Sequence, residues 1–338
     1  MAQGPINAVL LDRLLTQHEM VTIHALAGEL NQPIDRVLLD IERLVQAGCL
    51  LQRHPQQGVI LQCSGLAVWA DYLKWADRNS QFSRTYEVYG KIGSTQDAAR
   101  RLIEGQRCQA DGAIVAADCQ DAGRGRLGRS WFAPAGTGVL FSRCCVQSGR
   151  TTIPPTDGLV LAASVAIAAA VEQVTDGLSV AIKWPNDILV GGRKLGGILV
   201  ECFSPRRPTS PDAPSGRAVE SRAAVVGIGI NVDLGPEQIP AQLRLPMTSL
   251  SMCGQRIDRL AVLSESIRQL DAALAMGPDE LLEQWRRRSP IMSQRVRLQS
   301  SGRYIEGQVI DLDPNDGLIV RTDVGSIVHL PSATTTYV

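Results

Sequence analysis

The chain has 338 residues, with 34 basic and 34 acidic side chains, so its formal net charge at pH 7 is zero. Its 44% hydrophobic and 20% charged content is that of an ordinary globular protein, which excludes an intrinsically disordered or collagen-like chain. Overall basicity is therefore no reason to propose nucleic-acid binding, and the length alone suggests two or three domains.

Residues 1–64 predict a small helical module that ends in a hairpin. Apolar residues at helical spacing predict three helices; Thr22 caps the second, and the third is stopped at Gly48. Two short apolar runs, Cys49–Leu51 and Val59–Leu61, then flank a turn. Three helices followed by a hairpin are typical of a winged helix-turn-helix.

Residues 65–288 mix strands and helices and predict a central α+β domain. The run Ser94-Thr95-Gln96-Asp97 resembles a capping box that opens a helix running to Gly105. An Ala-rich segment predicts a buried helix, and two further helices are broken at Gly277-Pro278. The remaining elements are predicted strands around Ala113–Ala117, Ala181, Gly197–Glu201 and Ala223–Val232.

Two further segments complete the domain plan. Phe203–Arg222 carries four prolines among serines and arginines, which predicts a flexible surface insertion. Residues 289–338 show short alternating strands broken by Asp-Pro-Asn-Asp-Gly, which predicts a small β-barrel. The predicted domains are therefore 1–64, 65–288 and 289–338.

The eight cysteines form no C-x-x-C pair and no cluster at metal-ligand spacing, which indicates thiols in a reducing compartment. No charged-then-apolar signal segment opens the chain. The longest uncharged apolar stretch, Gly158–Val171, is shorter than the roughly 20 residues that a bilayer span needs. We expect a cytoplasmic protein with no membrane partner.

The densest chemical signal is the loop from Gln120 to Trp131, which contains GRGRLGR. Its glycines match the G-x-G-x-x-G spacing of dinucleotide sites, but no helix follows and no acidic residue occurs at the position that would bind the ribose. Three arginines within six positions and glycine N–H groups instead suit phosphate or carboxylate oxygens. Trp131 adds a ring that could stack on a ligand.

Two of the chain's four lysines lie in the next motifs. Lys183-Trp184-Pro185-Asn186-Asp187 follows a predicted strand, and RKLGGILVE, which contains Lys194, begins the next one. A lysine beside Asp and Asn can present a compact charge to an anion, although a lone surface lysine is the simpler explanation of Lys183. The segment GIGINV around Asn231 predicts a strand that a ligand can approach closely.

Ser94-Thr95, GRGRLGR, KWPND, RKLGGILVE and GIGINV, in this order over residues 90–232, resemble the motifs of the biotin protein ligases. The N-terminal module makes the chain similar to the subgroup that combines ligase and biotin-operon repressor. The resemblance implies a mixed sheet with helices, related to the class II synthetases, followed by an SH3-like barrel. It also implies that biotin and ATP form biotinyl-AMP, from which biotin passes to one lysine of a biotin carboxyl carrier protein.

The same resemblance assigns roles to individual residues. It implies biotin contacts from Ser94, Thr95, Gln96, Gln120, Arg124, Gly125, Arg126 and Lys194. It implies an adenylate and ATP side formed by Arg129, Trp131, Asn186, Asp187 and Asn231, and a catalytic group of Lys194, Arg126, Lys183 and Asp187. The family often has Asn where this chain has Gln96, so the contact of Gln96 is the least certain carry-over.

This chemistry brings a carboxylate to a phosphate, so fixed cations must offset their repulsion, together with Mg²⁺ on the pyrophosphate. Lys194 and the loop arginines are suited to this role, and the glycine-rich loop could close over the adenylate and exclude water. Histidines occur only at positions 18, 24, 54 and 329. The central block thus offers no histidine base, which argues against serine and thiol hydrolases.

Charge argues against DNA binding by the N-terminal module, because residues 1–64 contain six acidic residues against four arginines. The third helix, which would enter the major groove, carries Asp35, Asp40 and Glu42. The leading prediction is a biotin protein ligase. Biotin-dependent repression and homodimer formation are further predictions. The alternatives are a lipoate-type ligase and a biotin-sensing DNA-binding regulator without ligase activity.

Overall fold

Three helices and a hairpin form the first part of the chain. The computed structural model describes residues 6–17, 19–80, 84–148, 152–205, 222–240 and 246–338. The Ala25 N–H donates to the Thr22 hydroxyl at 3.2 Å, so the predicted cap of the second helix is confirmed. The helices are α1 (Ala8–Leu15), α2 (Ile23–Leu30) and α3 (Ile34–Gln46), and the hairpin pairs β1 (Leu50–His54) with β2 (Gly58–Cys63).

Asp40, one of three acidic residues that the third helix carries, is fully buried. The Asn7 side-chain amide donates to its carboxylate at 2.8 Å, and Arg36 and Arg43 form ion pairs with it at 3.3 and 3.0 Å. A buried carboxylate needs such partners because desolvation of an unpaired charge is costly. The prediction that Asp40 adds negative charge to the surface of α3 is therefore wrong.

A helix that the sequence pattern did not reveal, α4 (Leu66–Ala76), connects the hairpin to the central part. Trp69 of this helix is fully buried, and its indole N–H donates to the Ser64 hydroxyl at 3.0 Å. The Ser64 backbone N–H and hydroxyl in turn donate to the Asp258 carboxylate at 2.6 and 2.7 Å. The Asp258 side chain also accepts the Leu260 N–H at 2.7 Å, so one carboxylate serves both parts of the chain.

A seven-stranded sheet forms the centre of the molecule. The strands in spatial order are numbered 3-4-5-9-8-7-6, and only the β3–β4 pair is parallel. Three of the seven were not predicted, namely β3, β5 and β7. The strands are β3 (Tyr86–Ile92), β4 (Ile114–Gln120), β5 (Gly138–Val146), β6 (Val180–Lys183), β7 (Asp187–Val190), β8 (Arg193–Phe203) and β9 (Ala223–Asn231).

Four helices pack on this sheet: α5 (Thr95–Gln106), α6 (Thr156–Val174), α7 (Arg259–Ala275) and α8 (Pro278–Arg288). By length and composition alone α6 could cross a membrane, but 78% of its apolar window is buried inside the protein. It packs against α7, α8 and the sheet, which is the arrangement of a core helix. The Ala-rich buried helix and the break at Gly277-Pro278 are both confirmed.

The last part of the chain is a five-stranded antiparallel sheet. Its strands are β10 (Arg295–Ser300), β11 (Arg303–Asp313), β12 (Gly317–Thr322), β13 (Ile327–Leu330) and β14 (Thr335–Tyr337). The spatial order is 13-12-11-10-14, and within residues 289–338, all of which are described, no pairing joins the two edge strands. The α+β class and the mixed central sheet are confirmed, whereas the predicted C-terminal barrel is an open sheet. Most of the predicted insertion, residues 206–221, lies outside the described residues.

Candidate active site

A cleft opens over strands β8 and β9 of the central sheet. The motifs meet there although they are separated by up to 135 residues in the sequence. Glycines of the two strands and apolar residues such as Leu140 form its floor. Nine of the predicted site residues line it: Ser94, Thr95, Gln96, Gln120, Arg124, Gly125, Trp131, Asn186 and Lys194.

The start of α5 forms one wall of the cleft. Both the backbone N–H and the hydroxyl of Thr95 donate to the Gln120 side-chain carbonyl, at 2.7 and 3.1 Å, and Thr95 accepts from Ser142 at 2.9 Å. Ser94 occupies the position before the helix, but its side chain does not cap it, so the predicted capping box is wrong. The Ser94 hydroxyl is instead buried without a hydrogen-bond partner.

Gln96 reaches across the cleft to β8. Its amide nitrogen donates to the Leu199 carbonyl at 3.1 Å, while its carbonyl oxygen is buried without a partner. A Cβ atom built on Gly227 would lie 2.9 Å from the Gln96 side-chain carbon, which is closer than side chains normally approach. Gly227 of β9 therefore makes room for Gln96. The side chain of Gln96, which is longer than the Asn often found in the family, fits because this strand has no side chain at that position.

Trp131 lies over the glycines of the floor. A Cβ atom on Gly229 would lie 2.5 Å from the indole, and one on Gly197 would lie 3.0 Å from it. The glycines of GIGINV and RKLGGILVE thus admit protein side chains to the strand backbone, where the sequence suggested a ligand. The Trp131 ring N–H is buried and has no hydrogen-bond partner.

Three buried polar atoms without partners therefore meet in one cleft: the Ser94 hydroxyl, the Gln96 carbonyl oxygen and the Trp131 ring N–H. Each such group costs about 1–3 kcal/mol relative to its hydrogen-bonded state. Native proteins retain few of them, and a cluster indicates a function that satisfies them. The arrangement can bind a ligand that both donates and accepts hydrogen bonds.

The glycine and arginine loop is closed on itself by backbone hydrogen bonds. The Gly125 N–H donates to the Arg129 carbonyl at 2.7 Å, and the Trp131 N–H donates to the Gly123 carbonyl at 2.9 Å. The expectation that the loop glycines leave their N–H groups open to an anion is thus wrong for Gly125. Leu127 at the loop tip has a positive φ of 56° and is 56% exposed.

Arg124 is fixed at the edge of the cleft by two carboxylates. It forms a bidentate pair with Asp97, with both bonds at 2.8 Å, and a third contact with Glu201 at 3.3 Å. The hydrogen bonds with Asp97 raise the pKa of the guanidinium and lower the pKa of the Asp97 carboxyl. The planar group is therefore held in one orientation with its charge largely compensated.

Lys194 and Asp187 form an ion pair at 2.5 Å, and both side chains are mostly buried. The Lys194 ammonium also lies 5.4 Å from the centre of the Trp131 ring. Asn186 is fixed through its amide, which donates to the Ile198 carbonyl at 2.8 Å. An ammonium has three N–H groups, so the pair with Asp187 leaves donors for a ligand in the cleft.

Other predicted site residues face the C-terminal sheet. Arg126 donates to the backbone carbonyls of Ser332 and Thr335, the latter at 2.9 Å, and to the Asn186 side chain at 3.3 Å. Burial lowers the pKa of its guanidinium. The Lys183 ammonium lies 4.8 Å from the centre of the Tyr337 ring, and neither Lys183 nor Arg126 is among the residues that line the cleft.

The last two predicted residues also lie outside the cleft lining. Arg129 is exposed at the end of the loop. Asn231 is buried at the end of β9, where its amide donates to the Thr248 carbonyl at 3.0 Å. The contacts of Arg126 and Lys183 with the C-terminal sheet were not predicted. Their partners lie about 150 to 210 residues later in the sequence and belong to no motif.

The carboxylates beside the cleft are engaged by cations of the protein rather than free to bind a metal ion. Asp97 and Glu201 are paired with Arg124, and Asp187 is paired with Lys194. In the described part of the chain, the one group of side chains close enough together to hold a metal ion is Asp313, Asp316 and His329, in the C-terminal part. The cleft therefore has no ready-made protein cage for a metal ion among those residues.

Comparison with known proteins matches residues 91–209 to the biotin/lipoate A/B protein ligase family. The bifunctional ligase/repressor BirA of Bacillus subtilis strain 168 is 31% identical over 268 residues, covering 75% of this chain and 76% of that protein. The biotin–[acetyl-CoA-carboxylase] ligase of Mycobacterium tuberculosis is 30% identical over 262 residues, covering 73% and 90%.

A similar fold occurs in a solved structure, the biotin protein ligase from Aquifex aeolicus in complex with biotin and ATP. The TM-score is 0.58 at 23% identity, over 76% of this chain and all of that one. At 23% identity this similarity supports the fold of the chain and nothing further. The roles of the cleft residues rest on the geometry described above.

Proposed function

The chain belongs to the biotin protein ligase family, and from that premise we propose that it attaches biotin to a protein in two steps. First, a carboxylate oxygen of biotin attacks the α-phosphorus of ATP, which forms biotinyl-AMP and expels pyrophosphate. The ε-amine of a lysine on a biotin carboxyl carrier protein then attacks the acyl carbon. An amide bond forms, and AMP leaves.

The observation that carries this proposal is the set of three unpaired polar atoms in the cleft. Biotin has a ureido ring with two N–H donors and one carbonyl acceptor, next to an apolar body and a carboxylate tail. The Gln96 oxygen can accept from a ureido N–H, and the Ser94 hydroxyl can donate to the ureido oxygen. An apolar floor with a few convergent polar groups is also the usual form of a small-molecule site.

Lys194 is the cation that we propose acts on the reacting groups. It stands beside Trp131 with Asp187 as its counter-ion, so it can place a compact charge between the carboxylate and the α-phosphate. Arg124, held by Asp97 and Glu201, serves to position biotin, since its charge is already compensated. Catalysis is then positioning and charge stabilisation, without a protein nucleophile.

The adenylate side of the site is proposed for Trp131, Asn186, Asp187 and Asn231, and the exposed Arg129 is available to the phosphates. Mg²⁺ bound with ATP would supply charge neutralisation at the leaving pyrophosphate. Asp97 and Glu201 are paired with Arg124, and Asp187 is paired with Lys194, so these carboxylates are already engaged by cations.

The test is transfer of labelled biotin. Purified protein is incubated with radiolabelled biotin, ATP, Mg²⁺ and a carrier domain, and label on the carrier is measured after denaturation. We expect label that requires ATP and that is absent from a carrier whose acceptor lysine is changed to arginine. Labelling by lipoate in place of biotin would identify a lipoate-type ligase, and adenylate without transfer would identify a sensor.

Repression is a second candidate, because the Bacillus relative is named as a ligase and repressor and because the N-terminal helices and hairpin have the order of a winged helix-turn-helix. A mobility shift with the organism's own biotin-gene promoter, with and without biotinyl-AMP, tests it. A shift that depends on biotinyl-AMP supports the repressor, and no shift in either state removes it. The domain bounds 1–64, 65–288 and 289–338 and a cytoplasmic location remain predictions.

A further inference from the structure

The segment that joins β4 to β5, residues 121–137, brings three residues to the lining of the cleft. They are Arg124, Gly125 and Trp131. A binding site needs its side chains held to within about 0.5 Å of their working positions, so the two ends of this segment must be fixed relative to each other. We call residues 121–137 the site loop.

The two strands that carry the site loop are not paired with each other at its base. Within residues 84–148, all of which are described, the β4–β5 pair nearest the loop is Ala117 with Leu140. Beyond that pair, β4 continues beside β3 as far as Gln120, while β5 begins at Gly138 beside β9. The two ends of the site loop are thus attached to different neighbouring strands, and the backbone ladder does not join them.

One buried arginine crosses this gap. Arg259, the first residue of α7, is only 7% exposed. Its guanidinium donates to the Asp118 carboxylate and, at 3.4 Å, to the Gly138 carbonyl. The Asp118 oxygen that it contacts also accepts the Gly136 N–H, at 3.0 Å. Both ends of the site loop therefore meet at a single side chain.

The position of Arg259 is itself fixed. Its backbone starts a helix that is capped by Asp258, and its guanidinium lies 5.3 Å from the centre of the buried Trp69 ring. A planar guanidinium held by a carboxylate, a carbonyl and an aromatic ring keeps one orientation. A buried ion pair is a weak source of net stability, because desolvation offsets the attraction of its charges. The geometry that Arg259 imposes on the two strand ends is therefore its main contribution.

We propose that Arg259 is a positioning residue for the ligase reaction, and this inference rests on the function proposed above. It fastens the base of the site loop, which places Trp131 over Gly229 and Arg124 at the edge of the cleft. Arg259 is not among the residues that line the cleft, so it acts through the loop and not on the reacting groups.

Hydrogen exchange of the ligand-free, full-length protein is the first test. Arg259→Met should make the backbone amides of the site loop exchange at least about tenfold faster, because its two ends are no longer joined. Arg288→Met is the matched control, since Arg288 forms a largely buried ion pair with Glu172 and neither residue lines the cleft. Equal exchange of the site loop in the two variants would overturn the proposal.

Biotin binding separates positioning from chemistry. The dissociation constant for biotin, measured by calorimetry, should rise about tenfold in Arg259→Met and stay near the wild-type value in Arg288→Met. Pyrophosphate exchange at saturating biotin and ATP should fall by less than about threefold in both variants, because bound ligands order the loop. Unchanged biotin affinity in Arg259→Met would overturn the positioning role. A wild-type protein that binds no biotin would instead refute the proposed function, and hydrogen exchange would still decide the role of Arg259.

A double variant tests whether Asp118 transmits the effect. Asp118→Asn removes the charge but keeps an oxygen that can accept the Gly136 N–H, so it should speed the exchange of the site loop several-fold. The combination with Arg259→Met should be no faster than Arg259→Met alone, because both changes break the same contact. Effects that multiply in the double variant would show that the two residues act separately, which would overturn the proposed contact.

Discussion

The cleft in the central sheet and the groove between α3 and the β1–β2 hairpin are incomplete in opposite ways. The cleft contains buried polar atoms without hydrogen-bond partners, at Ser94, Gln96 and Trp131. The groove contains apolar side chains without cover, at Ile34 and Leu38. The comparison teaches that the two regions differ in chemistry: the cleft offers unpaired hydrogen-bond donors and acceptors, whereas the groove offers exposed hydrocarbon.

The two regions also differ in how firmly their residues are held. The cleft residues are fixed by neighbours, as in the pairs of Thr95 with Gln120 and of Arg124 with Asp97. Asp35, Glu42 and Arg53 beside the groove are exposed and form no ion pair in the part of the structure that is described. The cleft is therefore the region that is organised before a ligand arrives.

The largest effect that would test the cleft is expected from Lys194→Ala. Removal of the ammonium should lower biotin-dependent ATP–pyrophosphate exchange by about 10²–10³-fold, because charge near the α-phosphate is no longer offset. Lys74→Ala, on the exposed side of α4, is the control and should exchange normally. Near-normal exchange in the Lys194 variant, with carrier labelling intact, would remove Lys194 from the mechanism.

A smaller effect is expected from Gly229→Ala, which adds a methyl group where the Trp131 indole lies. Overpacking of this kind costs about 1–3 kcal/mol, so ligand affinity should fall by roughly 5- to 150-fold as the ring is displaced. Calorimetric titration with biotin and then ATP measures it. Gly90→Ala, in β3 with open space around the new methyl group, should bind normally. Equal affinities in the two variants would contradict a role for the ring.

The smallest of the three effects is expected from Arg126→Gly, which releases the loop from the C-terminal sheet. Loss of hydrogen bonds from a charged group should make bound biotinyl-AMP dissociate about ten times faster. Trypsin should also cut the loop sooner, a change that loss of a ligand contact alone would not produce. Arg193→Ala, at the exposed start of β8, is the control. An unchanged dissociation rate would show that the contacts of Arg126 with the C-terminal sheet do not help to hold the loop over the adenylate.

Much of the cleft was predictable because the residues of a family's sequence motifs occupy the same positions in the fold that the family shares. The motifs and the loop from Gln120 to Trp131 predicted that Ser94, Gln120, Trp131 and Lys194 share one site, and all four line the cleft. The hydrogen bonds within that site were harder to predict from the sequence. Ser94 has the residue type and position of a helix cap, yet its hydroxyl faces the cleft, and no rule of spacing distinguishes the two outcomes.

Three features that the sequence did not reveal share a physical cause, which is that tertiary contacts override local pattern. Asp40 lies on a helix with two other acidic residues, yet it is buried and paired with Arg36 and Arg43. Arg126 has the same motif context as Arg124, but it donates to the Thr335 carbonyl in the last strand of the chain. The strand Gly138–Val146 is buried along its whole length, so it lacks the alternation that identifies a strand with one exposed face.

The carboxylate of Asp258 belongs to two structures at once, since it caps α7 and accepts both hydrogen bonds from Ser64. Because one group holds the start of a core helix and the end of the N-terminal hairpin, the two parts are thermodynamically linked. Heating should melt them in a single transition, and the N-terminal module cannot swing as an independent arm without uncapping a helix of the catalytic core.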